Sequence, residues 1–270
     1  MNDNGRSRDD RRFARRRAIV TGASRGIGAA VAVALAELGA DVAIVARSVE
    51  EPPKIPGSLT ATATTIEDAG GRCALLAVDL TDPEDRARIV PETVAALGGV
   101  DTLINNAAAA LYAPPSEYSV KRRRISMEVN FHAPLDLMQA VIPIMRAQGE
   151  GWIVNLSSAA ARPTPGPPYD LRVEIGMYGA SKAALNRATN AFAVDVFADR
   201  IRVNTVEPRS AVLSEGAAAL VSDKLRDGEI EPMETMVDAV LALCDCPVDR
   251  TGRNFVSLDL LADLDAAPSG

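Results

Sequence analysis

Along this chain, apolar and polar positions repeat one motif. A short apolar run reaches a turn rich in glycine or polar residues, and a longer segment with helical spacing follows. Ala18-Ile19-Val20 leads into Thr21-Gly22-Ala23-Ser24-Arg25-Gly26-Ile27-Gly28, and the Ala-, Val- and Leu-rich stretch from Ala29 to Leu38 is stopped by Gly39. Asp41 to Ala46 is an unbroken apolar run bounded by turn residues, which reads as a second, buried strand. The alternation continues with a helix from Leu59 to Ala69, a strand from Cys73 to Val78, a helix opened by Asp82-Pro83 and running to Leu97, and a strand from Val100 to Ile104. One long helical stretch, Tyr118 to Arg146, is expected to break or kink around Pro134 and Pro143. Beyond it lie a strand from Trp152 to Leu156, a helix from Tyr178 to Ala198, a strand from Ile201 to Val206, a helix from Pro232 to Cys244 and a seventh strand from Phe255 to Leu258. The pattern predicts an α/β fold, a doubly wound parallel sheet of about seven strands with helices on both faces.

Length and composition narrow this picture. At 270 residues the chain suits one domain, placed at residues 18–260. Asn2 to Arg17 mixes Arg, Asp, Asn and Gly with a single aromatic, Phe13, so residues 1–17 read as a mobile tail; residues 261–270 read as a loose acidic one. No apolar run suits a signal peptide or approaches the roughly 18 residues of a membrane span. The net charge of −7 argues against a nucleic-acid groove. Three cysteines in a pattern unsuited to a metal site point to reduced thiols in the cytoplasm, with no metal. The only histidine, His132, reads as a packing or helix-surface residue.

Two stretches carry candidate chemistry. The glycine-rich turn, between strand and helix, gathers backbone N–H groups and a helix N-terminus at one spot, which suits a pyrophosphate; a plain strand-to-helix turn is the alternative. In Tyr178-Gly179-Ala180-Ser181-Lys182 the phenol and the ammonium stand four residues apart on one helix face. A cation at that distance is expected to lower the tyrosine pKa from about 10 toward the range of a general acid or base.

The spacing Thr21-Gly22-x-x-x-Gly26-x-Gly28, with Tyr178-x-x-x-Lys182 downstream, resembles the short-chain dehydrogenase/reductase family, whose fold is of the Rossmann type. Asn105-Asn106-Ala107-Ala108 is similar to its Asn-Asn-Ala-Gly segment, and Asp79, Asn106, Asn130 and Ser158 follow at family spacing. The stretch from Pro53 to Ser58 is similar to hydroxysteroid dehydrogenase-like members, which share its longer loop. The resemblance implies reversible transfer of a hydride between a nicotinamide cofactor and a carbonyl or alcohol substrate. It implies that Tyr178 is the proton donor, Ser158 a donor to the same oxygen, Lys182 the holder of the ribose and stabiliser of the tyrosinate, and Asn130 a member of a proton relay.

The same resemblance assigns cofactor contacts to Gly22, Ser24, Arg25, Gly26, Ile27 and Gly28, to Asp79 and Leu80 near the adenine, to Asn106, Ala107 and Ala108, and to Pro208 and Val212 near the carboxamide. Ala108 departs from the family glycine. Arg47 at the end of the second strand and Arg25 in the glycine loop, with no carboxylate there, favour NADP(H), with NAD(H) as the other candidate; two solvated arginines are the plain alternative. The insertion at 162–170 with Tyr169 and Asp170, the loop from Leu111 to Pro115 and a lid within 208–232 offer apolar surface, which favours a lipophilic substrate, while the proline-rich loop at 48–58 is expected near the adenosine end of the cofactor. The family also implies a homo-oligomer, a tetramer or a dimer. A dinucleotide-binding sensor or scaffold without turnover is the alternative reading.

Overall fold

A computed structural model describes residues 11–51, 56–164, 166–167, 173–213 and 230–266. Its strands are β1 (Arg17–Thr21), β2 (Asp41–Ala46), β3 (Cys73–Ala77), β4 (Thr102–Asn105), β5 (Gly151–Leu156), β6 (Ile201–Glu207), β7 (Ala211–Val212), β8 (Ile230–Glu231) and β9 (Asn254–Val256). Seven of them form one parallel sheet in the order β3-β2-β1-β4-β5-β6-β9, and β7 pairs with β8 apart from it. The strands read as continuous apolar runs because both faces are covered. Ala18 and Val20 of β1, Val42 and Ile44 of β2, and Trp152, Val154 and Leu156 of β5 face one layer. Ile19, Ala43, Val45 and Ile153 face the other.

The first layer is built by α1 (Gly26–Glu37), α2 (Leu59–Asp68) and two later helices, α8 (Met233–Leu243) and α9 (Ser257–Asp265). The second is built by α4 (Ile89–Leu97), α6 (Ala133–Gln148) and the far end of α7 (Gly176–Asp195). A single turn, α3 (Pro83–Arg86), precedes α4 and is capped by Asp82, whose carboxylate accepts from the Glu84 N–H. Expected and observed strand ends agree to within two residues, except that Leu258 lies in α9 and not in a strand.

Three expectations need correction. The expected long helix is α5 (Val120–Met127) joined to α6 through a π turn, Glu128–His132. The irregularity therefore falls at Asn130; Pro134 is tolerated in the first turn of α6, and Pro143 lies inside it. The N-terminal arm is docked where it is described. Phe13 is 1% exposed, its N–H donates to the Leu38 carbonyl, and the guanidinium groups of Arg12 and Arg16 lie 5.1 and 5.5 Å from its ring centroid. Arg12 pairs with Asp245 at 2.5 Å, Arg16 donates to the Cys244 carbonyl, and Arg17 is already in β1, paired with Asp101 at 2.7 Å. At the other end, residues 261–265 belong to α9, whose Leu260 is buried. One aromatic ring with a socket and a few cations with partners suffice to order a segment whose composition suggests a tail.

Removing a buried phenyl ring costs about 3–5 kcal/mol, whereas truncating a side chain in a mobile tail costs almost nothing. Phe13→Ala should therefore lower unfolding stability in urea by that amount; a loss under about 0.5 kcal/mol would contradict the docked arm.

Candidate functional site

Parallel strands bring their carboxyl ends to one edge, and the chemistry-bearing side chains are at that edge or on the helix turns beside it. Two of the strand ends are tied together. Thr21 Oγ1, at the end of β1, accepts from the N–H groups of Asn106 and Ala107, both at 3.1 Å. Asn106 Nδ2 donates back to the carbonyls of Thr21 at 2.8 Å and Gly22 at 3.2 Å. The glycine turn is packed against this junction so closely that a Cβ at Gly28 would fall 2.3 Å from Asn106 Nδ2 and 2.4 Å from the Gly22 carbonyl. Only glycine fits there. No side chain caps the N-terminus of α1, so its first amides face the cradle free of such a partner. Ser24 is buried, and Ile27 packs on the core. These residues fit a bound dinucleotide phosphate.

Further along the edge, Asp79 Oδ1 accepts from both the N–H and the hydroxyl of Thr81 at 2.9 Å. Desolvation pushes this carboxyl up, but the two Thr81 hydrogen bonds and the charge of Arg47 outweigh it and hold the group below the usual carboxylate range. Leu80 is nearly buried, with its carbonyl taken by Arg86. Arg47 is exposed at the end of β2. Arg25 is placed otherwise than expected. Its Nε donates to the Pro56 carbonyl at 2.9 Å and its Nη2 to the Gly57 carbonyl at 2.8 Å, so the guanidinium is engaged by backbone. Ala108 carries no strain, because among the described residues only Arg15 and Arg200 have positive φ outside glycine.

The second cluster forms around α7. Tyr178 sits in the first turn, and Ser158 closes β5 and opens the short turn Ala159–Ala161 by accepting from the Ala160 N–H at 3.2 Å. Capping does not remove Ser158 from the site, since its hydroxyl still pulls the Tyr178 phenol partly back toward its ordinary pKa. The two segments press together at Gly179, where a Cβ would fall 2.1 Å from the Ala160 carbonyl. Lys182 is 1% exposed, donates to the Leu156 carbonyl at 2.7 Å, and has its Nζ 6.0 Å from the centre of the Tyr178 ring.

Asn130 is fully buried in the π turn. Its Oδ1 accepts from the Ala109 N–H at 2.7 Å, and its Nδ2 donates to the Ala109 carbonyl at 3.1 Å and to Ser181 Oγ at 3.0 Å. Ser181 in turn donates to the Tyr178 carbonyl at 2.7 Å. The turn is held from outside by buried Arg86, which donates to Glu128 at 2.7 Å and Asp136 at 2.6 Å. Single π turns of this kind recur at functional sites.

The electrostatics overturn one expectation. Burial drives the Tyr178 phenol above its ordinary value, with Tyr112 adding to it and Ser158 pulling partly back; Lys182 does not reverse the shift. Burial also lowers Lys182 to about 8. Among the described residues, no opposite charge offsets the desolvation of either group.

Several contributors escaped the sequence reading. Tyr112, from the loop expected at the pocket, sets its ring edge-on to Tyr178 at 5.9 Å, a contact the sequence did not show, and Ser181 bridges Asn130 to the Tyr178 backbone. Asn155 spans Asn105 at 2.8 Å and Thr189 at 2.9 Å beneath the site. Buried Glu207, the last residue of β6, accepts from Arg162 Nε at 2.6 Å and ties the segment after Ser158 to the segment before Pro208. A carboxylate closing an apolar run was the available signal for Glu207. Pro208 is half-buried and Val212 lies in β7, held by β8. Tyr169, Asp170 and the lid stretch from Ala217 to Arg226 fall outside the described residues.

A parallel sheet of this order, a glycine cradle at β1 and a Ser-Tyr-Lys cluster at the β5–α7 edge together define a nucleotide-binding oxidoreductase architecture. The family model for short chain dehydrogenases matches residues 16–224, and the chain belongs to that family. It is 30% identical over 251 residues to hydroxysteroid dehydrogenase-like protein 2 of Xenopus tropicalis, covering 90% of this chain and 56% of that protein. It thus spans about half the length of that relative. Among solved structures, one from Beutenbergia cavernae, described as an NAD(P) dependent gluconate 5-dehydrogenase with NADP at low occupancy, is 30% identical with a TM-score of 0.78 over 92% of this chain and 98% of that one. A short chain dehydrogenase from Mycobacterium paratuberculosis bound to NAD is 27% identical, with a TM-score of 0.77 over 91% and 97%. Solved members of this family thus include one that holds NADP and one that holds NAD. Among the described residues no helix is long and apolar enough to cross a membrane.

The lowered Lys182 value gives a pH signature. Its folded-state pKa of about 8 lies below the ordinary 10.5, so burying it penalises the fold fully below pH 8, progressively less up to about 10.5, and not above. Measured by urea unfolding, the stability of the native protein relative to Lys182→Met should therefore rise from pH 7 to pH 10, by on the order of 2 kcal/mol. A difference independent of pH would mean that the ammonium is not desolvated.

Proposed function

We propose that this protein is an NADP(H)-dependent oxidoreductase that interconverts a carbonyl and a secondary alcohol on a lipophilic substrate. The observation that carries the reading is the meeting of Tyr178, Ser158, Lys182 and the Asn130–Ser181 bridge at one strand edge, beside a phosphate cradle that only glycine can form. The nicotinamide, when bound, supplies the hydride chemistry. Every other task falls to the chain. Gly22, Ser24, Gly26, Ile27 and Gly28 hold the pyrophosphate through backbone and side chain, and Asp79, Leu80 and the segment Asn106 to Ala108 border the adenosine. Pro208 and Val212 border the carboxamide.

In the direction of reduction, Tyr178 Oη donates a proton to the substrate oxygen, and Ser158 Oγ donates a hydrogen bond to the same atom. Lys182 would hold the nicotinamide ribose with its ammonium and would favour the tyrosinate left behind. Asn130 and Ser181 fix the helix turn that bears both groups, and Asn130 joins the relay that returns the proton. The preference for NADP(H) rests on Arg47, whose charge Asp79 feels, at a strand end without a competing carboxylate. The preference for a lipophilic substrate rests on half-buried Tyr112, set edge-on to Tyr178, on buried Ala113 next to it in the chain, and on buried Val212 of β7. A second copy of the chain is expected to cover the apolar residues at the end of α7, where Val194 is 81% and Phe197 53% exposed.

Tyr178→Phe keeps the ring and removes the proton. With an NADPH-reducible ketone found by panel screening, it should lower kcat by about 10²- to 10⁴-fold while leaving NADPH affinity within a few-fold. Turnover within a few-fold of the native protein would remove Tyr178 from the chemistry. Light scattering should give a mass at two or four times the 28.4 kDa chain; a monomer would contradict the oligomer.

A further inference from the structure

The loop that follows β2 is pinned at two places. Its neck is closed by backbone hydrogen bonds, from the Leu59 N–H to the Ser48 carbonyl at 2.9 Å and from the Thr60 N–H to the Val49 carbonyl at 3.1 Å. Ser58 then caps α2 by accepting from the Ala61 N–H at 3.0 Å, and Leu59 is fully buried. The second pin is Arg25, whose guanidinium donates to the adjacent carbonyls of Pro56 and Gly57. The contact is tight. Gly57 has a φ of +102°, and a Cβ there would fall 2.6 Å from the Ser24 carbonyl and 2.8 Å from Arg25 Cβ. Both the left-handed backbone and the close approach call for glycine. Segment 56–58 is therefore strapped across the glycine turn at the mouth of the phosphate cradle.

A guanidinium is planar and its donors point in fixed directions. With Nε and Nη2 aimed at two carbonyls of the strap, Arg25 has turned its strongest fork away from any ligand. Arg47 differs in both respects: it stands exposed at the end of β2, where the adenosine ribose of a dinucleotide lies in a sheet of this topology, and its field reaches Asp79. Resting on the NADP(H) reading above, we infer that the two arginines divide the work. Arg47 reads the 2′-phosphate, and Arg25 is a positioning residue that holds the strap against the cradle for either dinucleotide.

The two roles leave different marks on selectivity. Losing Arg47 removes a charged partner from one ligand only. Losing the strap removes a wall that both ligands share.

Fluorescence titration with NADPH and with NADH, on the full chain and its variants, separates them. Arg47→Ala should weaken NADPH by about 10- to 100-fold and change NADH by less than about 2-fold. Arg25→Ala and Gly57→Ala should each weaken both cofactors by the same factor, about 5-fold or more, leaving their ratio unchanged. Arg25→Ala introduces no clash, so it keeps the test valid if Gly57→Ala fails to fold; Arg25→Lys, which can reach one carbonyl, should recover part of the loss. If Arg25→Ala abolishes the NADPH preference and spares NADH, Arg25 itself reads the phosphate and the inference is overturned. It is equally overturned if the foldable strap variants bind both cofactors as the native protein does. Should the native protein bind NADPH and NADH alike, the cofactor preference proposed above falls, and the strap is decided by Arg25→Ala and Gly57→Ala alone.

Discussion

One desolvated ammonium sets the terms for the rest of the site. Lys182 is buried, the Leu156 carbonyl is its one hydrogen-bond acceptor among the described residues, and burial lowers its pKa to about 8. An ion in that position is costly to the fold and is tolerated only where the surroundings fix it. Those surroundings are specific: β5 supplies Leu156, the Ala160 carbonyl presses on Gly179, and the Asn130–Ser181 bridge fastens the first turns of α7 to the π turn. The Tyr178 phenol, raised by the same burial, shares that turn. A cation that needs an acceptor and a phenol that needs a cation are thus held a few ångströms apart, each incomplete alone.

The sheet explains why these groups can meet. Its parallel strands all end at one edge, so Thr21, Asn106, Ser158 and Glu207, spread over nearly two hundred positions, are gathered along it. Short polar ties then fix the register between strand ends. Thr21 and Asn106 join β1 to β4, Asn105 and Asn155 join β4 to β5, and Arg162 and Glu207 join the turn after β5 to the end of β6. The cradle and the Ser-Tyr-Lys cluster belong to one rigid edge, while the sheet faces supply the apolar core.

What could be read from the sequence follows the range of the interactions involved. Strands buried on both faces leave continuous apolar runs, and the glycine turn and the Tyr178/Lys182 spacing are local, so fold class, strand positions and the main clusters were legible. The π turn was not, because it is fixed by Arg86 reaching Glu128 and Asp136 and by the Ala109 backbone, none of which shows in helix periodicity. The backbone hold on Arg25 was not legible either, because its partners lie 31 and 32 residues onward. The N-terminal arm looked loose because composition counts apolar residues but does not see Phe13 find a socket or Arg12 find Asp245, 233 positions away. The sign of the Tyr178 shift was misjudged for the same reason: spacing gives the distance to a cation, whereas desolvation is a property of the assembled core.

In the proposed mechanism, the buried charge of Lys182 is withheld from Tyr178 in the protein alone and brought to bear on it once a dinucleotide engages the site. An ultraviolet difference titration of the native protein against Tyr178→Phe isolates that one phenol, with and without saturating NADP⁺. The account predicts no ionisation of Tyr178 up to about pH 10 in the protein alone, and a fall of two units or more with the dinucleotide bound. The same ionisation midpoint in both samples would contradict it.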